Sequence, residues 1–403
     1  MGNVVVAQSG GPTVAINASL AGVIEGALGS NYDKIYGSIN GILGIRDDNV
    51  IDLTDIVAND PRFLKRLKTT PAMYLGSCRF KLPSVDSNDP VYNTLFSQFK
   101  KYNIDAFFYI GGNDSMDTVD KLSAYAEKIG SDIRFVGVPK TVDNDLCVTD
   151  HTPGFGSAAK YIATSTMEVI FDAQIYDNPS VTIIEVMGRD AGWLTAATSL
   201  AKTECCDGPD LIYLPEVPFD KEHFIDDLRS LLEEKTNIVV AVSEGIRDAD
   251  GEYISAATGS TDNFGHAQLS GAGKTLEYLV KERLGVKVRS IEVNVLQRAA
   301  AHMSSLTDLK ESENIGKKAV DIAESGVTGA MVTLQRISNA PYEVKYDYAQ
   351  IHDIANEAKE VPTSWINSNH NGVTNDMVSY LKPLVIGLPD VEYKDGLPVY
   401  VSR

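Results

Sequence analysis

Short, continuous apolar runs alternate with longer amphipathic segments along most of the chain. Continuous apolar runs are typical of strands buried on both faces of a parallel sheet, and apolar residues at three- and four-residue spacing are typical of helices packed against a sheet. We predict strands at residues 3–7, 106–110, 135–139, 181–186, 211–214, 238–243, 286–295 and 329–334. We further expect residues 37–47 to form a strand with a loop. We predict helices at residues 14–27, 156–176, 221–235 and 274–284, with two more ending near residues 129 and 201. This alternation predicts an α/β fold with doubly wound, largely parallel sheets.

Five of the predicted strands end in glycine-rich or charged loops. The loops carry Gly10-Gly11, Asn113-Asp114, residues 140–145, Arg189 and Glu244. Open parallel sheets bind ligands at the carboxyl ends of their strands, so we expect these loops to meet. Each loop taken singly is also explained as a surface turn, because Gly, Asn and Asp favour turns. One composite site explains all five better than five coincidental turns do.

The loop after residues 135–139 places a lysine close to two carboxylates. Pro139 cannot donate to a sheet ladder and should end the strand, and Lys140, Asp143 and Asp145 follow it. A cation beside two carboxylates can both hold an anion and accept a proton. A surface turn explains this segment equally well when it is considered alone.

Three further candidates also have simpler explanations. Asp114 or Ser115 could cap the helix that follows, although the preceding glycine pair makes a phosphate or metal role at least as good an interpretation. Arg79 could hold a phosphate, but a solvated arginine is far commoner.

Bulk composition narrows the class of protein. A chain of 403 residues exceeds one hydrophobic core, which predicts two domains. The formal net charge of -19 argues against a partner such as nucleic acid or an anionic membrane, because those ligands select a basic surface. An anionic substrate would therefore have to be attracted by a local cluster of Lys and Arg. No segment approaches the ~20 consecutive apolar residues of a membrane span.

The four cysteines have spacings that suit neither a zinc site nor a disulfide framework. The first residues lead directly into a predicted strand, without the pattern of a secretory signal. Both features favour a reducing cytoplasm. The motifs HExxH and GxSxG do not occur, so the zinc hydrolase and serine hydrolase interpretations lack their motifs.

Taken together, the loops resemble those of the phosphofructokinases, and among them the pyrophosphate-dependent branch. The match runs in collinear order from Val4 to about Leu334, and we carry no residues over from the region beyond it. The matching motifs are Ser9-Gly10-Gly11, Leu75-Gly76-Ser77-Cys78-Arg79, residues 111–115, residues 139–145, Met187-Gly188-Arg189, Ser243-Glu244-Gly245 and Gln297-Arg298. The resemblance implies two doubly wound domains with the active site in the cleft between them. We expect residues 1–150 with roughly 298–345 to bind pyrophosphate and Mg²⁺, and residues 151–297 with roughly 346–403 to bind fructose 6-phosphate.

The resemblance also implies roles for individual residues. Asp143 would be the general base that takes the proton from the sugar 1-hydroxyl, oriented with help from Thr141 and Asp145. The expected pyrophosphate ligands are Gly11, Lys140 and Arg79. The expected fructose 6-phosphate ligands are Thr141, Asp143, Asp145, Met187, Gly188, Arg189, Glu244, Arg298 and Arg289, with Arg289 commonly coming from a neighbouring subunit.

Two positions distinguish the phosphoryl donor. Members of the family that use ATP carry glycine where this chain has Asp114, and again where it has Lys140. A carboxylate at Asp114 would repel the α-phosphate of ATP. Lys140 would instead neutralise charge on the pyrophosphate being cleaved. Lys140 and Asp114 are therefore expected to contribute to catalysis beside Asp143.

The chain departs from the family pattern at four positions. Asn113 stands where a carboxylate usually contributes to magnesium binding, so Mg²⁺ is expected on Asn113 or Asp114, in part through water. Ala299-Ala300 replace two glycines after Arg298, and Ser180 replaces a second arginine that crosses between subunits in the ATP enzymes.

The leading hypothesis is reversible phosphoryl transfer from pyrophosphate to fructose 6-phosphate, giving fructose 1,6-bisphosphate and phosphate in glycolysis or gluconeogenesis. An ATP-dependent phosphofructokinase, or a related kinase with another acceptor, stays open as an alternative. A non-catalytic sugar-phosphate-binding homologue is less consistent with the presence of Asp143, Asp145 and Arg189. The resemblance further implies a cytoplasmic homodimer or homotetramer, with neither nucleic acid nor membrane as a partner.

Overall fold

The computed structural model describes residues 2–87, 89–255, 271–353 and 358–403. The strands are β1 (Asn3–Gln8), β2 (Ile35–Ser38), β3 (Val50–Asp52), β4 (Ile104–Gly111), β5 (Arg134–Pro139), β6 (Ser180–Val186), β7 (Lys202–Thr203), β8 (Cys206–Asp207), β9 (Leu211–Tyr213), β10 (Asn237–Ser243), β11 (Lys287–Glu292), β12 (Ala330–Asn339), β13 (Tyr342–Gln350), β14 (Tyr393–Lys394) and β15 (Leu397–Pro398). The α-helices are α1 (Ile16–Leu28), α2 (Ile42–Arg46), α3 (Leu53–Asn59), α4 (Phe63–Leu67), α5 (Pro90–Lys101), α6 (Asn113–Ile129), α7 (Phe155–Ala173), α8 (Trp193–Ala196), α9 (Lys221–Glu234), α10 (Ala272–Leu284), α11 (Leu296–Ala299), α12 (Leu306–Glu324) and α13 (Asn375–Leu381).

Two sheets carry most of the strands. The seven-stranded sheet has the order β13-β12-β5-β4-β1-β2-β3, in which the pairs from β12 to β2 are parallel and the two edge strands are antiparallel. The four-stranded sheet has the order β11-β6-β10-β9 and is parallel throughout. The prediction of an α/β fold with largely parallel sheets is therefore confirmed.

Successive residues of a strand enter different hydrophobic clusters, as the pleat requires. In β1, Val4 and Val6 pack in the cluster that contains α1, whereas Val5 and Ala7 pack with α5 and α6. The strands of the smaller sheet likewise feed two separate clusters. Both faces of each sheet are thus covered, and the strands can be apolar along their whole length.

Glycines let helices α1 and α12 approach each other closely. A Cβ on Gly22 would lie 1.9 Å from the carbonyl oxygen of Glu313, and a Cβ on Gly316 would lie 2.2 Å from that of Ser19. Neither position has room for a side chain, so this crossing is restricted to glycine on both helices. Both helices pack against the larger sheet, α1 beside β1 and β4 and α12 beside β5 and β12.

All eight predicted strands are present, with ends shifted by a few residues. The segment 37–47, which we expect to be a strand with a loop, continues beyond β2 into the short helix α2 instead. The predicted helix ending near residue 201 is α8 followed by a 3₁₀ turn over Ala197–Ala201. Within the described residues no helix is long and apolar enough to cross a membrane.

Candidate active site

A cleft of about 440 Å³, partly open to solvent, lies at the carboxyl ends of strands from both sheets. Loops after β1, β4 and β5 contribute from the larger sheet, and loops after β6 and β10 contribute from the smaller one. The predicted site residues that line the cleft are Gly11, Asn113, Asp114, Lys140, Thr141, Asp143, Asp145, Arg189 and Glu244. The five strand-end loops of the sequence therefore do meet in one cleft.

The loop after β1 brings two glycines against two cations. Gly10 has a positive φ of 80°, which glycine adopts without strain. A Cβ on Gly10 would lie 3.2 Å from Nζ of Lys140, and a Cβ on Gly11 would lie 3.3 Å from Nη1 of Arg298. Backbone and cations thus form one surface that suits phosphate oxygens.

Lys140 is almost fully buried at the end of β5, with 4% of its surface exposed. Its backbone N–H donates to the carbonyl oxygen of Gly111, which ties it to the loop after β4. Burial lowers the pKa of the ammonium group to about 8, although Asp143 and Asp145 act in the opposite direction. The cation is therefore desolvated and ready to pair with an anion in the cleft.

Asp143 is held by a turn that begins at Thr141. The Thr141 hydroxyl donates to Oδ2 of Asp143 at 3.2 Å and accepts the backbone N–H of Asp143 at 3.1 Å. Burial raises the pKa of the Asp143 carboxyl, and the charges of Lys140, Arg189 and Arg298 oppose that rise. A carboxylate with a raised pKa is a better proton acceptor, so this geometry suits a general base.

Asp145 lies two residues further along the same loop. Burial raises the pKa of its carboxyl to about 7, and the charge of Asp143 adds to the effect. The two carboxylates therefore interact, and they take up and release protons as a pair.

The loops of the smaller sheet form the opposite wall. The N–H of Met187 donates to Oε1 of Gln297 at 3.3 Å, and the N–H of Gly188 donates to Oε1 of Glu244 at 3.4 Å. Burial raises the pKa of the Glu244 carboxyl to about 7. Nε of Arg189 is buried and has no hydrogen-bond partner among the described residues, which leaves a donor available to a ligand in the cleft.

Helix α6 begins at the cleft with Asn113 and Asp114. Oδ1 of Asn113 is buried without a hydrogen-bond partner in the described part of the chain, and Asp114 is exposed in the first turn. No group of three or more His, Cys, Asp or Glu side chains forms a metal site within the described residues. Mg²⁺ commonly keeps several waters and takes only one or two carboxylates, so the unsatisfied amide oxygen beside a carboxylate fits this ion.

Five predicted site residues do not line the cleft, and four of them lie beside it. Met187 and Gly188 lie directly before Arg189, and Arg298 reaches the cleft through its contact with Gly11. Arg79 is exposed, although its neighbours Cys78 and Phe80 line the cleft.

Arg289 lies elsewhere, on the edge strand β11. Its Nη1 lies 3.5 Å from Oδ2 of Asp172, and it lines a separate depression with Ser180. Within one chain, Arg289 is thus away from the other candidate residues.

The C-terminal region contacts the loop of residues 140–154, between β5 and α7, which we call the catalytic loop. Sequence motifs did not reveal these contacts. The backbone N–H of Lys359 donates to the carbonyl oxygen of Asp145, and the Tyr380 hydroxyl accepts from Nδ2 of Asn144. Neither residue stands in a recognisable motif. Their role depends on a tertiary contact across more than two hundred positions, which no local pattern can signal.

The chain is similar to known proteins over its whole length. The model of the phosphofructokinase family matches residues 3–323. A pyrophosphate–fructose 6-phosphate 1-phosphotransferase of Xanthomonas campestris is 42% identical over 404 aligned positions, covering 100% of this chain and 96% of that protein. One of the same name from Halomonas elongata is 40% identical, covering 98% and 94%.

A solved structure extends the similarity to three dimensions. The crystal structure of a pyrophosphate-dependent phosphofructokinase from Nitrosospira multiformis superposes with a TM-score of 0.88 at 40% identity, covering 99% of this chain and 95% of that one. The similarity therefore includes the C-terminal region, which extends beyond residue 323.

Proposed function

This chain belongs to the phosphofructokinase family, and we propose that it transfers a phosphoryl group reversibly from pyrophosphate to the 1-hydroxyl of fructose 6-phosphate. The products are fructose 1,6-bisphosphate and phosphate. The observation that carries this function is the position of Lys140 and Asp143 in one cleft, a buried cation beside a carboxylate of raised pKa.

In the forward direction Asp143 accepts the proton of the 1-hydroxyl. The hydroxyl oxygen bonds to one phosphorus of pyrophosphate while the bridging P–O bond breaks, and phosphate leaves. Thr141 orients Asp143 through the two hydrogen bonds described above, and Asp145 supports the same loop. Phosphoryl transfer depends chiefly on such positioning and on neutralising charge on the oxygens.

Pyrophosphate is bound by Gly11 and Lys140, with Arg79 at the margin of the cleft. The desolvated ammonium of Lys140 neutralises charge on the group that is cleaved. Asp114 stands at the first turn of α6, where its carboxylate would repel the α-phosphate of a nucleotide. The donor is therefore pyrophosphate rather than ATP.

The sugar phosphate is bound by the wall that the smaller sheet provides. Arg189 offers an unpaired buried Nε, and Glu244 can accept a hydrogen bond from a sugar hydroxyl. Met187, Gly188 and Arg298 complete this surface. Arg289 would reach the sugar phosphate from a neighbouring subunit, and its position on β11, outside the cleft of its own chain, supports this assignment.

Asn113 and Asp114 would hold Mg²⁺. The ion supplies charge neutralisation on the phosphate oxygens when it is bound. The buried, unsatisfied Oδ1 of Asn113 supports this assignment.

We also propose that the chain divides into two domains. Residues 1–150 with roughly 298–345 form the pyrophosphate and Mg²⁺ domain, and residues 151–297 with roughly 346–403 form the sugar-phosphate domain. The active form is a homodimer or homotetramer in the cytoplasm. The spacings of the four cysteines are consistent with a reducing compartment.

A side-by-side assay tests the function. Purified protein with Mg²⁺ and fructose 6-phosphate is offered either pyrophosphate or ATP, and fructose 1,6-bisphosphate is measured. We expect product with pyrophosphate and little with ATP; the reverse preference would refute the proposed donor.

A substitution tests the base. Asp143→Ser should abolish turnover and leave fructose 6-phosphate binding largely intact. Asp190→Ser is the matched comparison, since Asp190 lines the same cleft but is exposed and paired with Arg247 at 2.7 Å. Asp143 is not the base if Asp143→Ser retains turnover.

A further inference from the structure

Asn144 separates the two carboxylates of the catalytic loop and has an unusual backbone conformation. Its φ is 56°, a left-handed value that is unfavourable for most residues but tolerated by Asn. The side chain is fully buried and uses both ends of its amide. Oδ1 accepts the N–H of Thr152 at 3.1 Å, and Nδ2 donates to the Tyr380 hydroxyl at 2.9 Å. The directions of Asp143 and Asp145 therefore depend on what holds this amide.

Tyr380, on helix α13, links Asn144 to the far end of the same loop. Its hydroxyl accepts from Asn144 and donates to the carbonyl oxygen of Asp150 at 2.7 Å. Only 7% of the residue is exposed, and the guanidinium of Arg336 lies 4.4 Å from the centre of its ring. One buried hydroxyl thus links Asn144 to Asp150, on either side of Asp145 in the loop.

Lys359 closes the loop from a second direction. Its backbone N–H donates to the carbonyl oxygen of Asp145 at 2.8 Å. Its Nζ donates to the carbonyl oxygens of Asp150 at 2.7 Å and Thr149 at 3.1 Å, and lies 3.5 Å from Oδ1 of Asn144. Trp193 fixes the lysine in turn, because its Nε1 donates to the Lys359 carbonyl oxygen at 2.8 Å.

The charge of Lys359 also acts on Asp145. Burial lowers the pKa of its ammonium to about 8, while Asp150, Asp145 and Cys147 act to raise it and Arg336 acts to lower it. The reciprocal effect favours the ionised form of Asp145. Removing this cation should therefore raise the pKa of the Asp145 carboxyl.

We propose that Lys359 and Tyr380 are positioning residues of the phosphoryl-transfer reaction, holding Asn144 so that Asp143 and Asp145 point into the cleft. Both lie C-terminal to residues 3–323, the part that the family model matches. They touch the loop from behind and do not line the cleft. The inference rests on the proposed function, since it assigns a role in the same site.

The first test is Tyr380→Phe, which removes one hydroxyl and keeps the ring. We expect kcat with pyrophosphate to fall by about 10- to 100-fold, the range that misplaced catalytic groups produce, with less than about a twofold change in KM. Tyr92→Phe is the matched control. Tyr92 is also buried, and its hydroxyl also donates to a backbone carbonyl, that of Pro83, away from the loop. The kcat of the Tyr92→Phe variant should stay at the wild-type value.

A double-mutant cycle separates positioning from general stability. Asn144→Gly removes the amide and keeps access to positive φ. If Tyr380 acts through Asn144, Tyr380→Phe should lower kcat much less in the Asn144→Gly background than in the wild type. Equal effects in both backgrounds, or a wild-type kcat for Tyr380→Phe, would overturn the role of Tyr380.

Lys359→Met tests the second residue with a readout that a purely structural role would not move. We expect kcat to fall and the acid limb of the kcat/KM pH profile to move to higher pH, because Asp145 loses a neighbouring positive charge. Lys359→Arg keeps that charge, so its acid limb should return to the wild-type position. An unmoved limb in a folded Lys359→Met variant would overturn the role of Lys359.

Wild-type activity with pyrophosphate is measured first. Its absence would refute the proposed function itself, whereas active wild type with unaffected variants would refute only the positioning role.

Discussion

The ammonium nitrogen of Lys140 lies 3.2 Å from the point that a Cβ on Gly10 would occupy. Gly10 therefore combines two requirements, a backbone φ of 80° and the absence of a side chain beside a buried cation. The loop after β1 and the loop after β5 are complementary in shape at this point. Any methyl group here would displace the cation or the backbone.

Gly10→Ala should accordingly weaken pyrophosphate binding. A left-handed φ costs a non-glycine residue about 1–2 kcal/mol, and the methyl group would contact Nζ of Lys140. We expect the KM for pyrophosphate to rise more than that for fructose 6-phosphate. Gly130→Ala is the control, because Gly130 also has a positive φ, 67°, with open space around it. A similar loss of stability in both variants with no change in KM would contradict the contact.

The donor preference should depend on Asp114 and Lys140 together. The double variant Asp114→Gly, Lys140→Gly removes the carboxylate that repels a nucleotide and the cation that serves pyrophosphate. We expect kcat/KM with pyrophosphate to fall by about 10²–10³, as when one preorganised charge-stabilising group is lost, and ATP use to rise. The two single variants separate these effects. Asp114→Gly removes only the carboxylate that repels a nucleotide, and Lys140→Gly removes only the cation that serves pyrophosphate. An unchanged donor preference in the double variant would show that these two positions do not select the donor.

The pH dependence of kcat/KM should show a narrow maximum between about pH 7 and 8. Lys140 must be protonated, and its pKa of about 8 means that its charge is lost as pH rises through that value. Asp145, with a pKa of about 7, and the neighbouring Asp143 must be ionised, so activity should fall as pH drops below about 7. Burial is the main cause of both shifts.

Lys140→Arg checks the assignment of the alkaline limb. A guanidinium stays charged throughout this range, so the alkaline limb should disappear even if the maximal rate is lower. Ionisation of the substrates is common to both enzymes and cancels in the comparison. An alkaline limb that persists in Lys140→Arg would mean that another group controls it.

The sequence predicted the parts of the site that are local. Each of the five loops follows an apolar strand, and parallel strands of one sheet bring their carboxyl ends to one edge. The strand pattern therefore predicts that the three loops of the larger sheet lie together and that the two loops of the smaller sheet do so, whereas only the structure shows both groups lining one cleft. The turn that holds Asp143 is also local, because Thr141 and Asp143 are two residues apart. The resemblance to a family then added roles that geometry alone does not specify.

What the sequence did not reveal depends on contacts between distant segments. Helix α12 was not among the predicted elements, and its crossing with α1 rests on Gly22 and Gly316, whose shared role is visible only in the packed structure. The same holds for Lys359 and Tyr380, since nothing in their own segments marks them as neighbours of Asn144. Buried pKa shifts also need the fold, because desolvation is their first cause.

The position of Arg289 leads to a prediction about assembly. This arginine lies on the edge strand β11, half-exposed and outside the cleft of its own chain. If it completes the sugar-phosphate site of a neighbour, the Arg289→Ala and Asp143→Ser variants should each be inactive alone and recover activity when co-assembled. In a hybrid dimer, the site with an intact Asp143 would receive an intact Arg289 from the other chain. If the two variants pair at random in dimers, about half of the dimers are hybrids, and each hybrid has one complete site of two. The mixture should thus recover about a quarter of wild-type activity.

A second mixture provides the control for complementation. Lys140 and Asp143 line the cleft of one chain, so no hybrid of Lys140→Gly with Asp143→Ser contains a complete site. This mixture should stay inactive under the conditions in which the first one recovers. If the Arg289→Ala and Asp143→Ser mixture also stays inactive although hybrids form, Arg289 does not act across subunits.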